Sequence, residues 1–207
     1  MDMTMESCRV FVKVLASDAP APGGGSVSAL SAAQGAALTS MVCELTIPKE
    51  KFAEYKELCE EVKADILKVY DALVVGIDKD TEAFNQVSAA FKLPKATDEE
   101  KAARSKAIQA ATVVATKVPY ETMELCMEGL EITAKIVGKS NPNAASDLGV
   151  AALNLLAGLK GAYLNVMINL PGIKDEAIKA EFAGAAAMVA KAEELANKIY
   201  TDVLESL

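Results

Sequence analysis

Apolar residues recur at Leu58, Val62, Ile66, Val69, Leu73 and Ile77, then at Phe84, Val87 and Phe91, in steps of three and four up to Ile77 and again from Phe84. An α-helix returns side chains to one face with that spacing, so the chain from about Lys51 to Phe91 is expected to form one very long helix with a single core-facing stripe. One position breaks the stripe. Between Ile77 and Phe84 the seam asks for an apolar residue at position 80, and the sequence supplies Asp80. A carboxylate turned toward a core must be paired, hydrogen-bonded or protonated, because its ionised form carries a large desolvation penalty. Two readings follow: Asp80 belongs to a functional site, where buried acids concentrate, or a neighbouring helix terminus, a lysine or a bend near Gly76 satisfies it structurally.

The second constraint is Pro20-Ala21-Pro22-Gly23-Gly24-Gly25-Ser26. Two prolines fix φ and remove donors, and three glycines permit close approach to the backbone, so no ordinary helix is expected to run through the whole stretch. Ser26 is the expected N-cap of a small-residue helix reaching Thr46, closed by Pro48. The glycine amides would then sit at the positive end of that helix, where an anion or developing negative charge can be held. A plain turn between two helices explains the same residues. The stretch is not a nucleotide fingerprint, since there is no GxGxxG after a strand and no Walker lysine.

The remaining punctuation yields four further helices. Met5 to Ala16 is a short amphipathic one. Thr97-Asp98-Glu99-Glu100 reads as a cap with first-turn acids after the break at Leu93-Pro94-Lys95, and Pro119 marks a kink or restart in the helix that follows. The turn Gly138 to Asn143 precedes an apolar helix that ends at Pro171-Gly172, with Asn143 or Ser146 as its cap and Asp147 in its first turn. Asn165 and Asn169 share a face of it. A last helix carries Met188, Ala192, Leu195, Ile199 and Val203 on one stripe. No segment reads as a strand, repeat or linker. The expected fold is all-α: residues 1–207 as a single-domain bundle of about six long, roughly antiparallel helices.

Composition narrows what such a bundle does. Just over half of the 207 residues are apolar, but aromatics are 5% and tryptophan is absent, so alanine, leucine and valine fill the core and helices can approach closely. A net charge of -8 argues against nucleic-acid binding. With no histidine in the chain, the stripe Glu121, Glu124, Glu128 and Glu131 cannot form the Glu/His set of a di-iron bundle and reads as a solvated face. Cys8, Cys43, Cys59 and Cys126 lack CxxC spacing and are expected as free thiols, which fits a cytoplasmic location. The first residues show no signal peptide, and Asn154, Lys160, Asn165 and Asn169 interrupt the most apolar helix, so no membrane span is expected.

Taken in order, the Pro20–Ser26 stretch, Asp80-Thr-Glu-Ala-Phe84, Leu93-Pro-Lys95, Val118-Pro119, Asn141-Pro-Asn-Ala-Ala-Ser-Asp147 and Gly161-Ala-Tyr-Leu-Asn-Val-Met-Ile-Asn169 resemble the formiminotransferase-cyclodeaminase family. The resemblance is to its cyclodeaminase half and runs from about Cys8 to Leu170, without a formiminotransferase domain. It implies an all-helical homodimer acting on a tetrahydrofolate derivative as substrate. Two activities are implied: a formimidoyltetrahydrofolate cyclodeaminase releasing ammonia to give 5,10-methenyltetrahydrofolate, or a methenyltetrahydrofolate cyclohydrolase. No metal and no tightly bound cofactor is expected. Asp80 is the expected proton shuttle, with Asp147 as a second carboxylate facing the cationic amidine or methenyl group. Gly24, Gly25 and Ser26 would offer amides to the ligand, Lys95 would meet the glutamate tail, and Asn141, Asn165 and Asn169 would bond the pterin or p-aminobenzoate. The competing class is a non-enzymatic helical scaffold whose glycine loop only joins helices.

Overall fold

The computed structural model describes residues 7–207. Among these it contains α1 (Cys8–Leu15), α2 (Gly24–Glu44), α3 (Lys56–Phe91), α4 (Asp98–Ala134), α5 (Ala145–Asn169), α6 (Glu176–Ala180) and α7 (Ala185–Ser206). A 3-10 segment kinked at Phe52 covers Glu50–Tyr55, single 3-10 turns lie at Pro142–Ala144 and Leu170–Gly172, and no strand is present among the described residues. The chain is an all-helical bundle, as expected, with the short α6 added. The expected start of the first helix at Met5 and the reading of the first six residues lie outside the described residues.

Helices α2, α3, α4 and α5 form a ring in which each packs on the next, and α7 covers α4 and α5. Contacts fix their directions. Ser26 meets Asp80 at one end of the α2/α3 pair while Glu44 meets Lys63 at the other, so these helices are antiparallel. Gly35 lies against Ala151 and Gly24 against Asn165, which makes α2 and α5 antiparallel as well. Across the diagonal the buried hydroxyls of Thr39 and Thr133 bond at 2.8 Å. Around them Ile66, Leu73, Met123, Leu130, Leu155 and Leu159 form a core closed to solvent.

Two expectations about helix limits change. The α2 helix begins at Gly24 with Gly23 as N-cap, so Ser26 is not the cap but lies inside the first turn. The stripe of α3 is buried at Val62, Ile66, Val69, Leu73 and Ile77, whereas Phe84 and Phe91 are 42% and 55% exposed. The reason is geometric: α2 starts opposite Asp80, so the last turns of α3 extend beyond it and lose that neighbour. The fourth helix starts on the expected cap, and the cap is a capping box, with Thr97 and Glu100 each accepting the other's backbone N–H at 3.2 Å. It then runs unbroken through Pro119. Of the glutamate stripe on α4, Glu124, Glu128 and Glu131 are exposed and Glu121 is half-buried, which agrees with a solvated face.

Small residues let α2 and α5 touch backbone to backbone. A Cβ on Gly158 would stand 2.7 Å from the Ser28 carbonyl oxygen and 2.8 Å from the Ala32 Cβ. Neither neighbour is the flexible end of a side chain. Gly158→Ala is therefore expected to cost about 1–3 kcal/mol through overpacking, read as a lower midpoint in chemical denaturation with the helical circular-dichroism signal retained.

Candidate functional site at the Asp80 end of the bundle

Where α2 begins, α3 overhangs and α5 ends, the helices enclose a cavity of about 360 Å³. Its walls include Gly24, Gly25, Asp80, Phe84, Asn165 and Asn169, with Pro20 and Ala21 on one side and Ala115 of α4 behind. Five of the residues singled out in the sequence thus meet in one place.

Asp80 is held by the start of α2. Its Oδ2 accepts the Ser26 hydroxyl at 2.8 Å, and its carboxylate also accepts the Ser26 backbone N–H. The Thr81 hydroxyl lies 3.2 Å from Ser26 Oγ. With Asp80 ionised, the single Ser26 proton goes to the carboxylate and Thr81 donates to Ser26. Gly25 makes this approach possible. A Cβ there would overlap Asp80 Oδ1 and stand only 2.5 Å from its Cγ. The glycines therefore serve close approach rather than positive φ, which among the described residues occurs only at Gly138. Burial pushes the Asp80 carboxyl above its ordinary value, and the two bonds from Ser26 offset part of that.

The expected role of Ser26 is corrected here. It is fully buried, and its amide and hydroxyl both go to Asp80 rather than to a ligand. The amides of Gly24 and Gly25, in the first turn of α2, have no helical partner by position and sit at the cavity wall. Asn169 has a duty the sequence hid: Pro119 lacks the N–H that would bond the Ala115 carbonyl four residues back, and Asn169 Nδ2 donates to that carbonyl at 2.8 Å. Asn165 Nδ2 donates to the Gly161 carbonyl at 2.9 Å, with its amide group beside Gly24.

Three expected residues stand elsewhere. Asn141 is buried at the far end of the bundle, where its N–H donates to Thr46 Oγ1, its Nδ2 to the Leu45 carbonyl and its Oδ1 accepts from Asn143 N. Those bonds tie the α4–α5 turn to the end of α2 and leave the side chain no free end, so a ligand-binding role is corrected to a structural one. Asp147 lies in the first turn of α5, about 27 Å along the helix axis from Asn165 at 1.5 Å per residue, so one chain does not pair it with Asp80. Lys95 is exposed and stands with Lys101, Arg104 and Lys174 around a second, open depression at the cavity's end of the bundle. Arg104 stacks over Phe91 and donates to its carbonyl. Sequence reasoning missed Phe84 and Ile168 as cavity residues, since both read as core or helix filler. It also missed Ala115, although counting four back from Pro119 marks it.

Chemically, the site offers one acid whose carboxyl burial raises above its ordinary value, first-turn amides and apolar walls. Such a set moves protons and restrains a cationic ligand. Thiol chemistry is not favoured: all four cysteines are free, but burial pushes Cys43 up to about 12 and raises Cys126 as well. Among the described residues no three acids or thiols gather as a metal-binding group.

Known proteins share this architecture and sequence. The methenyltetrahydrofolate cyclohydrolase of Methylorubrum extorquens is 42% identical over 199 residues, covering 96% of both chains. The formimidoyltransferase-cyclodeaminase of Gallus gallus is 38% identical over 172 residues, 83% of this chain but 32% of its own length. The crystal structure of formiminotetrahydrofolate cyclodeaminase from Thermotoga maritima superposes with a TM-score of 0.81 at 26% identity, covering 99% of this chain and 97% of that one. The profile of the formiminotransferase-cyclodeaminase family matches residues 7–188. With the profile spanning most of the chain and a relative this similar over nearly its whole length, the protein belongs to the formiminotransferase-cyclodeaminase family.

Proposed function

We propose that the protein is a folate one-carbon enzyme that works at the carbon joined to N5 and N10 of tetrahydrofolate. The observation that carries the reading is the cavity acid Asp80, half-buried and set against bare glycine backbone. In the cyclodeaminase reaction N10 attacks the amidine carbon of 5-formimidoyltetrahydrofolate, a tetrahedral adduct forms, and the C–N bond to the amine breaks to leave 5,10-methenyltetrahydrofolate and ammonia. One proton must leave N10 and one must reach the departing amine. A single carboxylate between them performs both transfers, and a raised pKa suits it to give as well as take. Its ionised form also balances the positive methenyl product.

A second reading, methenyltetrahydrofolate cyclohydrolase, is favoured by the full-length match to the Methylorubrum extorquens enzyme of that name. It uses the same site: Asp80 takes a proton from water as oxygen adds to the methenyl carbon, and returns it to the nitrogen released when one C–N bond opens, while the adduct's hydroxyl gives its proton to solvent as the formyl carbonyl forms. In either case Gly24 and Gly25 offer amides, Asn165 and Asn169 border the ring system, and Lys95 with Lys101, Arg104 and Lys174 faces the anionic glutamate tail. The rest of the reading is that the chain, residues 1–207, acts as one helical domain in a cytoplasmic homodimer. It holds no tightly bound cofactor and engages neither nucleic acid nor membrane. Free thiols and the negative net charge support those points.

Following methenyltetrahydrofolate spectrophotometrically, as product from the 5-formimidoyl substrate and as substrate for hydrolysis, tests both reactions; activity on neither overturns the proposal. Asp80→Asn is expected to lower turnover about 10²–10⁴-fold, and turnover near wild type removes Asp80 as the proton carrier. The same variant carries a stability signature. Because the folded carboxyl titrates above its unfolded value, wild-type protein is favoured at low pH and loses that advantage as pH rises through the folded pKa. Relative to Asp80→Asn, wild-type melting temperature should therefore fall on going from acidic to neutral pH. Gly25→Ala should displace the carboxylate and depress kcat more than KM, checked by steady-state kinetics.

A further inference from the structure

One face of α3 changes character where the helix extends past α2. Asp80, Phe84, Val87 and Phe91 stay within about 40° of one line along the helix, because steps of four, three and four residues return to the same side. The first three of them line the cavity. Phe84 is the one aromatic among the described residues that do so, and its ring is 42% exposed. Further out on the same face Phe91 is 55% exposed, but the Arg104 guanidinium covers it at 5.5 Å from the ring centroid. Phe84 has no such cover. Among the described residues the other ring contacts are Tyr120 on Phe182 and Lys51 over Phe52, so neither a ring nor a cation lies on Phe84. An uncovered ring in a cavity wall is a surface for a second flat, apolar group.

The sequence of groups along this face identifies that group. Asp80 comes first, Phe84 follows one turn on at about 6 Å along the axis, and Phe91 with its guanidinium stands about 16 Å from Asp80, at 1.5 Å per residue. Lys95, Lys101 and Lys174 gather with Arg104 around the depression beyond. A tetrahydrofolate carries its parts in the same order. The carbon joined to N5 and N10 is followed by the benzene ring of the p-aminobenzoyl group, bonded directly to N10, and then by the anionic glutamate. With the reacting carbon at Asp80 and the glutamate toward the cations, the benzene ring comes level with Phe84.

We propose that Phe84 is the platform on which the p-aminobenzoyl ring stacks, and that this contact sets which atoms of the folate meet Asp80. A ring held one turn beyond the acid leaves N10 beside the carboxylate, while the pterin turns off this face toward the amide groups of Gly24 and Asn165. The inference rests on the folate reading of the same site. The ring contact is present in bound substrate and transition state alike, so it acts on binding rather than on the chemical step.

Two measurements test it. Phe84→Leu keeps an apolar side chain and loses the flat ring face; its KM for the folate that the wild type turns over should rise about 3- to 10-fold, with kcat little changed. Phe84→Tyr, which keeps the ring, should recover most of that loss. An unchanged KM in Phe84→Leu, or a fall in kcat alone, overturns the platform. The chain contains no tryptophan, so Phe84→Trp places a single fluorophore in the cavity wall. Its emission should respond to p-aminobenzoylglutamate, which lacks the pterin, and not to 6-hydroxymethylpterin, which lacks the benzene ring. An equal or larger response to the pterin, or a response to neither, overturns the assignment. A wild-type chain that turns over neither folate sinks the proposed reaction, and the fluorescence titration then still decides the platform; normal turnover with Phe84→Leu indistinguishable from wild type sinks the platform and leaves the reaction standing.

Discussion

The carboxylate of Asp80 pressed against the Gly25 backbone is the contact on which the site depends. It closes the first turn of α2 by taking the Ser26 amide and hydroxyl, tasks that a cap side chain at Gly23 would otherwise share. It also brings α2 and α3 together where α3 leaves the core, so the helix start and the acid define each other's position. Removing water from that corner raises the acid's pKa, while the helix terminus keeps its ionised form accessible. A group held between those opposing effects is suited to carry protons in both directions.

Packing elsewhere serves that corner. Gly35 and Gly158 bring α2 and α5 into backbone contact, which carries Asn165 to the side of Gly24. Pro119 opens one carbonyl in α4, and Asn169 closes it, fixing the end of α5 to the cavity's rear wall at Ala115. The proline that appeared to interrupt a helix instead creates an acceptor that locates another. The basic group of Lys95, Lys101, Arg104 and Lys174 lies at the same end, carried by the overhang of α3 and the capped start of α4.

Much of this was legible in the sequence. The steps from Leu58 to Ile77 gave the long helix, Thr97 to Glu100 gave the cap of the fourth helix, and Asp80 stood out because apolar periodicity assigns each position a side. The misreadings have physical causes. Ser26 reads as a cap, since hydroxyls favour that place, but a carboxylate from another helix took over the capping and moved the start to Gly24. Phe84 and Phe91 read as core because periodicity reports a helix face and not what stands opposite it. Asn141 was joined to the ligand through the family resemblance, which orders motifs along the chain but does not say at which end of the bundle each turn falls.

Local rules act over a turn or two, so the sequence alone determined the helices, their breaks and the identity of the misplaced acid. Which ends meet is decided by long-range packing, and only the tertiary structure placed Asp80 with Gly25, Asn165 and Asn169, sent Asn141 to the opposite pole, and left one face of α5 without a covering helix. The physical reason is that a helix fixes the angle and height of each side chain on its own axis, whereas distances between axes depend on how closely small residues allow neighbouring backbones to come.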